Sequence, residues 1–364
     1  MQENLEDMTS RERLLRAVNR EVPDRVPVTL AYGHIDDLCR ERGHPEMVGA
    51  LRQDLRLVTF VSRPREANEF ARYHTPLPRS ASVNEWGIGF VLSSTGQSAR
   101  HLHPLAQAKH PPDIDSYPFP DMTEAWRHAG LDADVAAVHA EGLAAVGQMS
   151  QTIFELAWGL RGFAALLMDL ALNPALAAAL LDRITGIRCF MARRFAEAGV
   201  DVLRLGDDIG TQRGLLMSPG TWRQWLKPRL ARVIEAARSV NPTLPIKYHT
   251  DGDARDVIAD LCDVGVTILN PVQPECLDQA ALKREFGDSL AFWGCISVQS
   301  TLPFGTPEEV RLTVREVIET MGCGGGLVLG PTHTVGEDVP WENILALYQA
   351  AEEYGVYRGR RESK

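Results

Sequence analysis

Metal-ligand residue types gather behind several short apolar runs, most densely in Tyr248-His249-Thr250-Asp251-Gly252-Asp253, after the run Pro245-Ile-Lys-Tyr248. His249 and Asp251 are separated by one residue, so at the frayed end of a strand both can turn toward one ion. His333, behind the run at Leu327, could complete three ligands and leave an open, catalytic position. Cys295, behind the run at Leu290, is a further ligand type and equally an inert buried thiol. The other polar groups so placed are Asp207, Asp208 and Gln212 behind Val202 to Leu205, Asn270 behind Val266 to Leu269, and Glu337 beyond His333. Simpler roles compete: Asp207 and Asp208 as helix caps, and His249 as a hydrogen-bonded core histidine. His101, His103 and His110 form a second histidine tract, but without the regular spacing that would hold ligands on a rigid element. Arg161 either binds a carboxylate or pairs with Asp169.

The elements that must position these groups read as a repeat of apolar run, turn and helix, the pattern of parallel strands with crossover helices. The runs are Val26 to Leu30, Gly89 to Leu92, Leu143 to Val146, Val202 to Leu205, Pro245 to Tyr248, Val266 to Leu269, Leu290 to Trp293 and Leu327 to Leu329. Eight runs predict an α/β fold, a (β/α)₈ TIM barrel, although the run at Gly89 equally suits a hairpin outside it. In such a barrel chemistry collects at the C-terminal ends of the strands, where the polar groups above fall. Ser218 before Pro219 predicts a helix from Ser218 to Val240, and Thr306-Pro-Glu-Glu309 predicts another that continues to Met321 and stops at Gly322. Leu77 to Asp121, rich in Pro, Ser and His, is expected to be a lid-like excursion. Residues 1–364 are otherwise read as one barrel domain with an N-terminal extension.

Net charge is −10, from 38 Lys+Arg against 48 Asp+Glu, with no basic tract, which disfavours nucleic-acid partners. The most apolar stretch, Phe163 to Leu181, contains Asp169, Asn173 and Pro174, so it is expected to split into two helices and not to span a membrane. The charged segment Met1 to Arg16 lacks the apolar centre of a signal peptide, and a cytoplasmic protein is expected. The six cysteines have no CxxC spacing, which argues against a disulfide framework or zinc knuckle.

Arg11-Glu-Arg-Leu-Leu-Arg-Ala17, Pro23-Asp-Arg-Val-Pro27, Gly206-Asp-Asp-Ile-Gly-Thr-Gln-Arg-Gly-Leu-Leu216, Tyr248-His-Thr-Asp-Gly252, Ile268-Leu-Asn-Pro-Val-Gln273, Pro303-Phe-Gly-Thr-Pro-Glu-Glu309 and Asp338-Val-Pro-Trp-Glu-Asn-Ile344 occur in order. Together they resemble the uroporphyrinogen-decarboxylase-like superfamily, from about Thr9 to Tyr354. Its porphyrinogen-decarboxylating members carry an arginine-rich segment after the first strand, where this chain has Thr29-Leu-Ala-Tyr-Gly-His34. The resemblance is therefore to the methyltransferase-type branch. It implies the same barrel and a zinc site that reads H-x-C followed by a distal Cys, matched here by His249, Asp251 in place of cysteine, and His333 in place of the distal cysteine. The harder ligand set also admits iron or manganese.

The resemblance further implies transfer of a methyl group from an O- or N-methylated small molecule to a corrinoid supplied by a partner protein. Asp208 and Glu337 are then candidate catalytic acids, and Gln148, Asp207, Gln212, Tyr248 and Asn270 candidate substrate-binding groups. A monomer or homodimer is expected. Two alternatives are a decarboxylase or other lyase acting on a small carboxylic acid, and a non-catalytic binding protein on the same barrel.

Overall fold

Strands buried on both faces are continuous apolar runs, and six of the expected runs form such strands. The computed structural model describes residues 8–31, 33–63, 67–74, 77–78, 80–92 and 99–357. Seven strands, β1 (Leu55–Val58), β2 (Ala144–Gln148), β3 (Val202–Gly206), β4 (Ile246–His249), β5 (Ile268–Asn270), β6 (Ala291–Ile296) and β7 (Leu327–Pro331), pair in chain order, all parallel. Leu55–Val58 was not among the expected runs; its polar Arg56 breaks the apolar pattern.

The eight-stranded barrel is corrected to a curled seven-stranded sheet that its own ladder does not close. Val26 to Leu30 stands in the eighth place but makes only a bridge, Val28 to Leu329, supported by Thr29 N–H to Leu329 O at 3.0 Å. On its other side Asp54 N–H donates to Val28 O at 3.2 Å. A longer ladder is blocked chemically. Pro27 has no N–H to give, and the Val28 N–H is taken by the Asp54 carboxylate at 2.9 Å. Gly89–Leu92 lies outside the sheet, in an antiparallel three-stranded unit with Ser82–Val83 and Ala99–Leu102, within the 77–121 excursion.

The curled sheet separates two apolar clusters. The enclosed one gathers Leu55, Ala144, Val146, Val202, Ile268, Ala291, Trp293 and Val328, and is plugged by Leu14, Ala17 and Val18 of helix Ser10–Val18. That helix starts at a Thr9/Glu12 capping box and is held by the buried Arg13, which reaches Asp24 at 2.7 Å and Asp54 at 2.8 Å. The larger cluster lies between strands and surrounding helices.

Helix Pro307–Met321 has the expected Thr306/Glu309 capping box and ends at Gly322. The helix expected over Ser218 to Val240 is instead two, Pro219–Trp225 and Lys227–Arg238, broken where Pro228 withholds its N–H. Phe163–Leu172 and Pro174–Glu197 are likewise separate helices, bent by 120°, and among the described residues no single helix is long and apolar enough to cross a membrane.

Candidate metal centre

Strands alternate their side chains, and the inward positions of β4 are Lys247 and His249. His249, 5% exposed, stands at the C-terminal end of the strand, where β4 pairs with Gly206 of β3 and Asn270 of β5. Its Nδ1 lies 2.7 Å from Asn270 Oδ1, while Asn270 Nδ2 donates to Trp293 O at 2.8 Å. Because the asparagine nitrogen is committed to a carbonyl, its oxygen must accept, which places the histidine proton on Nδ1. Nε2 then carries the ring's lone pair, on the side of Asp208 and Asp251. Burial pushes the His249 pKa well below its ordinary value and keeps the ring neutral, as a ligand requires.

Around that lone pair stand Asp251 Oδ1 at 3.7 Å and Asp208 Oδ1 at 3.8 Å. One ligand atom each from His249, Asp251 and His333 lies within 4.8 Å of the others. Ligand bonds of about 2.0–2.1 Å give a tetrahedral ion ligand separations of about 3.4 Å, so modest inward rotation closes the set. Two imidazoles and a carboxylate suit zinc, and equally a harder ion such as iron or manganese.

Glycines let the loops that carry this set meet. A Cβ on Gly206 would come 2.6 Å from His249 O and 2.7 Å from His249 Cβ. Gly252, at φ +77°, would come 2.5 Å from Thr211 O. The hairpin Gly210–Leu215 thereby lies against the Asp251 loop, joined by Asp253 N–H to Thr211 O at 2.7 Å. Gln273 Oε1 accepts the Gly252 N–H at 3.1 Å, and Asp208 Oδ1 accepts the Asp251 N–H at 2.9 Å.

Of the other candidates, Asp208 and Asn270 adjoin the triad. Gln148, at the end of β2, accepts from Arg204 Nη1 at 3.3 Å. Asp207 is committed elsewhere: its carboxylate caps helix Phe154–Arg161, accepting Ile153 N–H at 3.0 Å on both oxygens and Glu155 N–H at 3.0 Å. Tyr248 alternates to the other face of β4 and packs in the helix-side cluster. Gln212 is exposed on the hairpin and accepts from Cys276 Sγ at 3.1 Å, and Glu337 is exposed beyond His333.

Among the described residues, the structure does not bring Cys295 to the His249, Asp251 and His333 set. Alternation from Ala291 and Trp293 would point it inward, but positive φ at Gly294 (113°) and Cys295 (78°) breaks the alternation and turns it into the helix-side cluster. Burial there pushes the thiol up to about 12, the protonated form that binds metals poorly.

The histidine tract serves the excursion. His103 Nδ1 is bonded to Gly159 O at 2.8 Å, and His101 stacks on Trp158. The loop that carries His110 is held by Asp113, which accepts the His110 N–H at 3.0 Å. Arg161 pairs with Asp169 at 2.7 Å and ties down the Leu105 and Ala106 carbonyls.

Three groups escaped the sequence reading. Glu155 accepts the Asp208 N–H at 3.2 Å and is raised to about 8 by burial and by the neighbouring carboxylates of Asp207 and Asp208. Arg204 and Lys247 lie on the inner face of the curled sheet, 1% and 2% exposed. The signal for these two was available: a cation two residues before the polar end of an apolar strand must face inward with it.

The fold is a TIM-barrel-like α/β fold in which His249, Asp251 and His333 converge at the C-terminal ends of the strands. Residues 138–354 match the model of the uroporphyrinogen decarboxylase (URO-D) family, and the chain belongs to that family. Methylcobamide:CoM methyltransferase MtaA of Methanosarcina barkeri is 32% identical over 174 residues, 48% of each protein. A uroporphyrinogen decarboxylase of Pelodictyon phaeoclathratiforme is 23% identical over 184 residues, 50% of each. The matched part thus spans about half the length of these curated relatives. A methyltransferase from Methanosarcina mazei superposes with a TM-score of 0.68 at 20% identity, covering 96% of this chain and 99% of that one, a likeness of fold.

Proposed function

We propose that this protein is a metal-dependent methyltransferase, or the methyltransferase component of a demethylase, that moves a methyl group from an O- or N-methylated small molecule to a corrinoid carried by a partner protein. The observation that carries this reading is the convergence of His249, Asp251 and His333 at the strand ends, with Asn270 fixing the ligand tautomer. When bound, a divalent ion, zinc by preference, would supply Lewis acidity at the heteroatom that bears the methyl group. His249, Asp251 and His333 would hold it. Asp208 accepts the Asp251 backbone N–H and fixes that loop beside His249; in its acid form it would be the group that protonates the departing heteroatom. Glu155, raised to about 8 and bonded to the Asp208 backbone, keeps a proton in reserve at neutral pH.

The test is to incubate the metal-loaded protein with a reduced corrinoid protein and a panel of methyl ethers and methylamines. The reading predicts stoichiometric demethylation coupled to a change in the corrinoid absorption, lost in His249→Ala. No corrinoid change with any donor, beside carbon dioxide release from small acids, would favour the second reading, a decarboxylase. That reading draws on the matches to uroporphyrinogen decarboxylases.

A further inference from the structure

Between the apolar plug and the candidate metal centre lie two buried basic side chains. Arg204 and Lys247 are register partners on β3 and β4, both inward and both almost fully buried. His249 lies two residues beyond Lys247 on the same face, so the cations sit one step below the triad. Arg204 Nη1 donates to Ala31 O at 3.1 Å and Gln148 Oε1 at 3.3 Å, so its guanidinium faces the interior between β2 and the Val26 to Leu30 segment. Lys247 Nζ sits 3.8 Å from the centroid of the Trp293 ring. Among the described residues it has no ion-pair or hydrogen-bond partner.

Burial and the neighbouring Arg204 push the Lys247 pKa well below its ordinary value, and one aromatic face offsets only part of the cost of holding an ammonium there without a counterion. Hydrophobic residues of the enclosed cluster adjoin it, Ile268 as its register partner on β5 and Val202 two residues before Arg204, so a methionine in place of Lys247 would pack with no charge to compensate. Structure alone gives this lysine no stabilising task. A ligand anion would.

We propose that the barrel interior beneath the metal centre is an anion subsite, in which Lys247 and Arg204 receive a carboxylate group of the substrate while its methyl-bearing heteroatom faces His249, Asp251 and His333. Arg204 presents a planar fork suited to two carboxylate oxygens, and Lys247 adds a point charge from the neighbouring strand. The subsite rests on the methyl-transfer reading only for which end of the ligand meets the metal; carboxylate capture itself does not require that chemistry.

The test is calorimetric titration of the metal-loaded full chain with benzoate and methoxyacetate, each beside its neutral amide, for wild type, Lys247→Met and Arg204→Gln. The expected result is at least tenfold tighter binding of a carboxylate than of its amide in wild type. Each variant should lose at least tenfold in carboxylate affinity, with amide binding and metal content unchanged. Equal binding of acid and amide in wild type would overturn the subsite, as would unchanged carboxylate affinity in a folded Lys247→Met. Metal content and corrinoid turnover are separate readouts, so failure of the methyl-transfer reading leaves these outcomes interpretable.

Discussion

Asn270 accepts the Nδ1–H of His249 at 2.7 Å while its own amide donates to Trp293 O at 2.8 Å, so one buried asparagine decides which histidine nitrogen can bind a metal. Partners of this kind are typically worth about 10–100-fold in metal affinity. Asn270→Ala is therefore expected to weaken binding by that order while the protein still folds, as read by competition with a chromogenic chelator. Unaltered affinity would show that the tautomer is set by something else.

Gly206 is the closest approach between β3 and the histidine. Gly206→Ala would press a methyl group onto His249 O and Cβ, at 2.6 and 2.7 Å. Overpacking of this sort costs about 1–3 kcal/mol, and the atoms that must yield belong to the ligand residue and its backbone. Melting temperature and metal stoichiometry are expected to fall together; normal values for both would mean the strands separate without disturbing the centre.

Cys295 tests the fate of a ligand-type residue turned away from the site. Cys295→Ala is expected to keep full metal content and to cost only the order of 1 kcal/mol for a small cavity. Loss of metal in this variant would show that the strand regains its alternation when loaded.

Metal-free protein should lose stability as pH rises from about 6.5 to 8. Glu155 is raised to about 8, and Asp207 and Asp251 to about 7, each by burial first. Over that range the fold binds protons that the unfolded chain, with carboxyls near 4, has already released, so the slope of unfolding free energy against pH is negative. Below about 6.5 the histidines lowered by burial, His249 and His333 among them, act in the opposite sense, because the unfolded chain then binds the extra protons. Thermal melts after chelation should show the decline, and Glu155→Gln should flatten it. A stability that rises across this window would contradict the raised carboxyls.

The legible parts of the sequence were those where one local rule acts alone. Buried parallel strands demand unbroken apolar residues, which gave β2 to β7, and Thr306 with Glu309 is a cap whatever surrounds it. The His-x-Asp pair was found because a strand end places neighbours i and i+2 on one side. What stayed hidden depends on partners distant in sequence. The Val26 to Leu30 run looks like any strand until Asp54 takes its amide, and β1 is masked by the partly exposed Arg56. Cys295 obeys alternation in sequence and breaks it only through two positive φ angles. Asp207 is a helix cap, but of a helix that precedes it by about fifty residues, which no local pattern encodes.

The most direct measurement is elemental analysis of the purified protein beside His249→Ala and His333→Ala, each verified as folded by its melting curve. One equivalent of a divalent transition metal in the wild type, lost from both variants, is the predicted result, and the element found would choose between zinc and a harder ion. A metal-free wild type prepared without chelator and unable to take up zinc, iron or manganese, or metal retained in both folded variants, would contradict the centre on which the proposed chemistry depends.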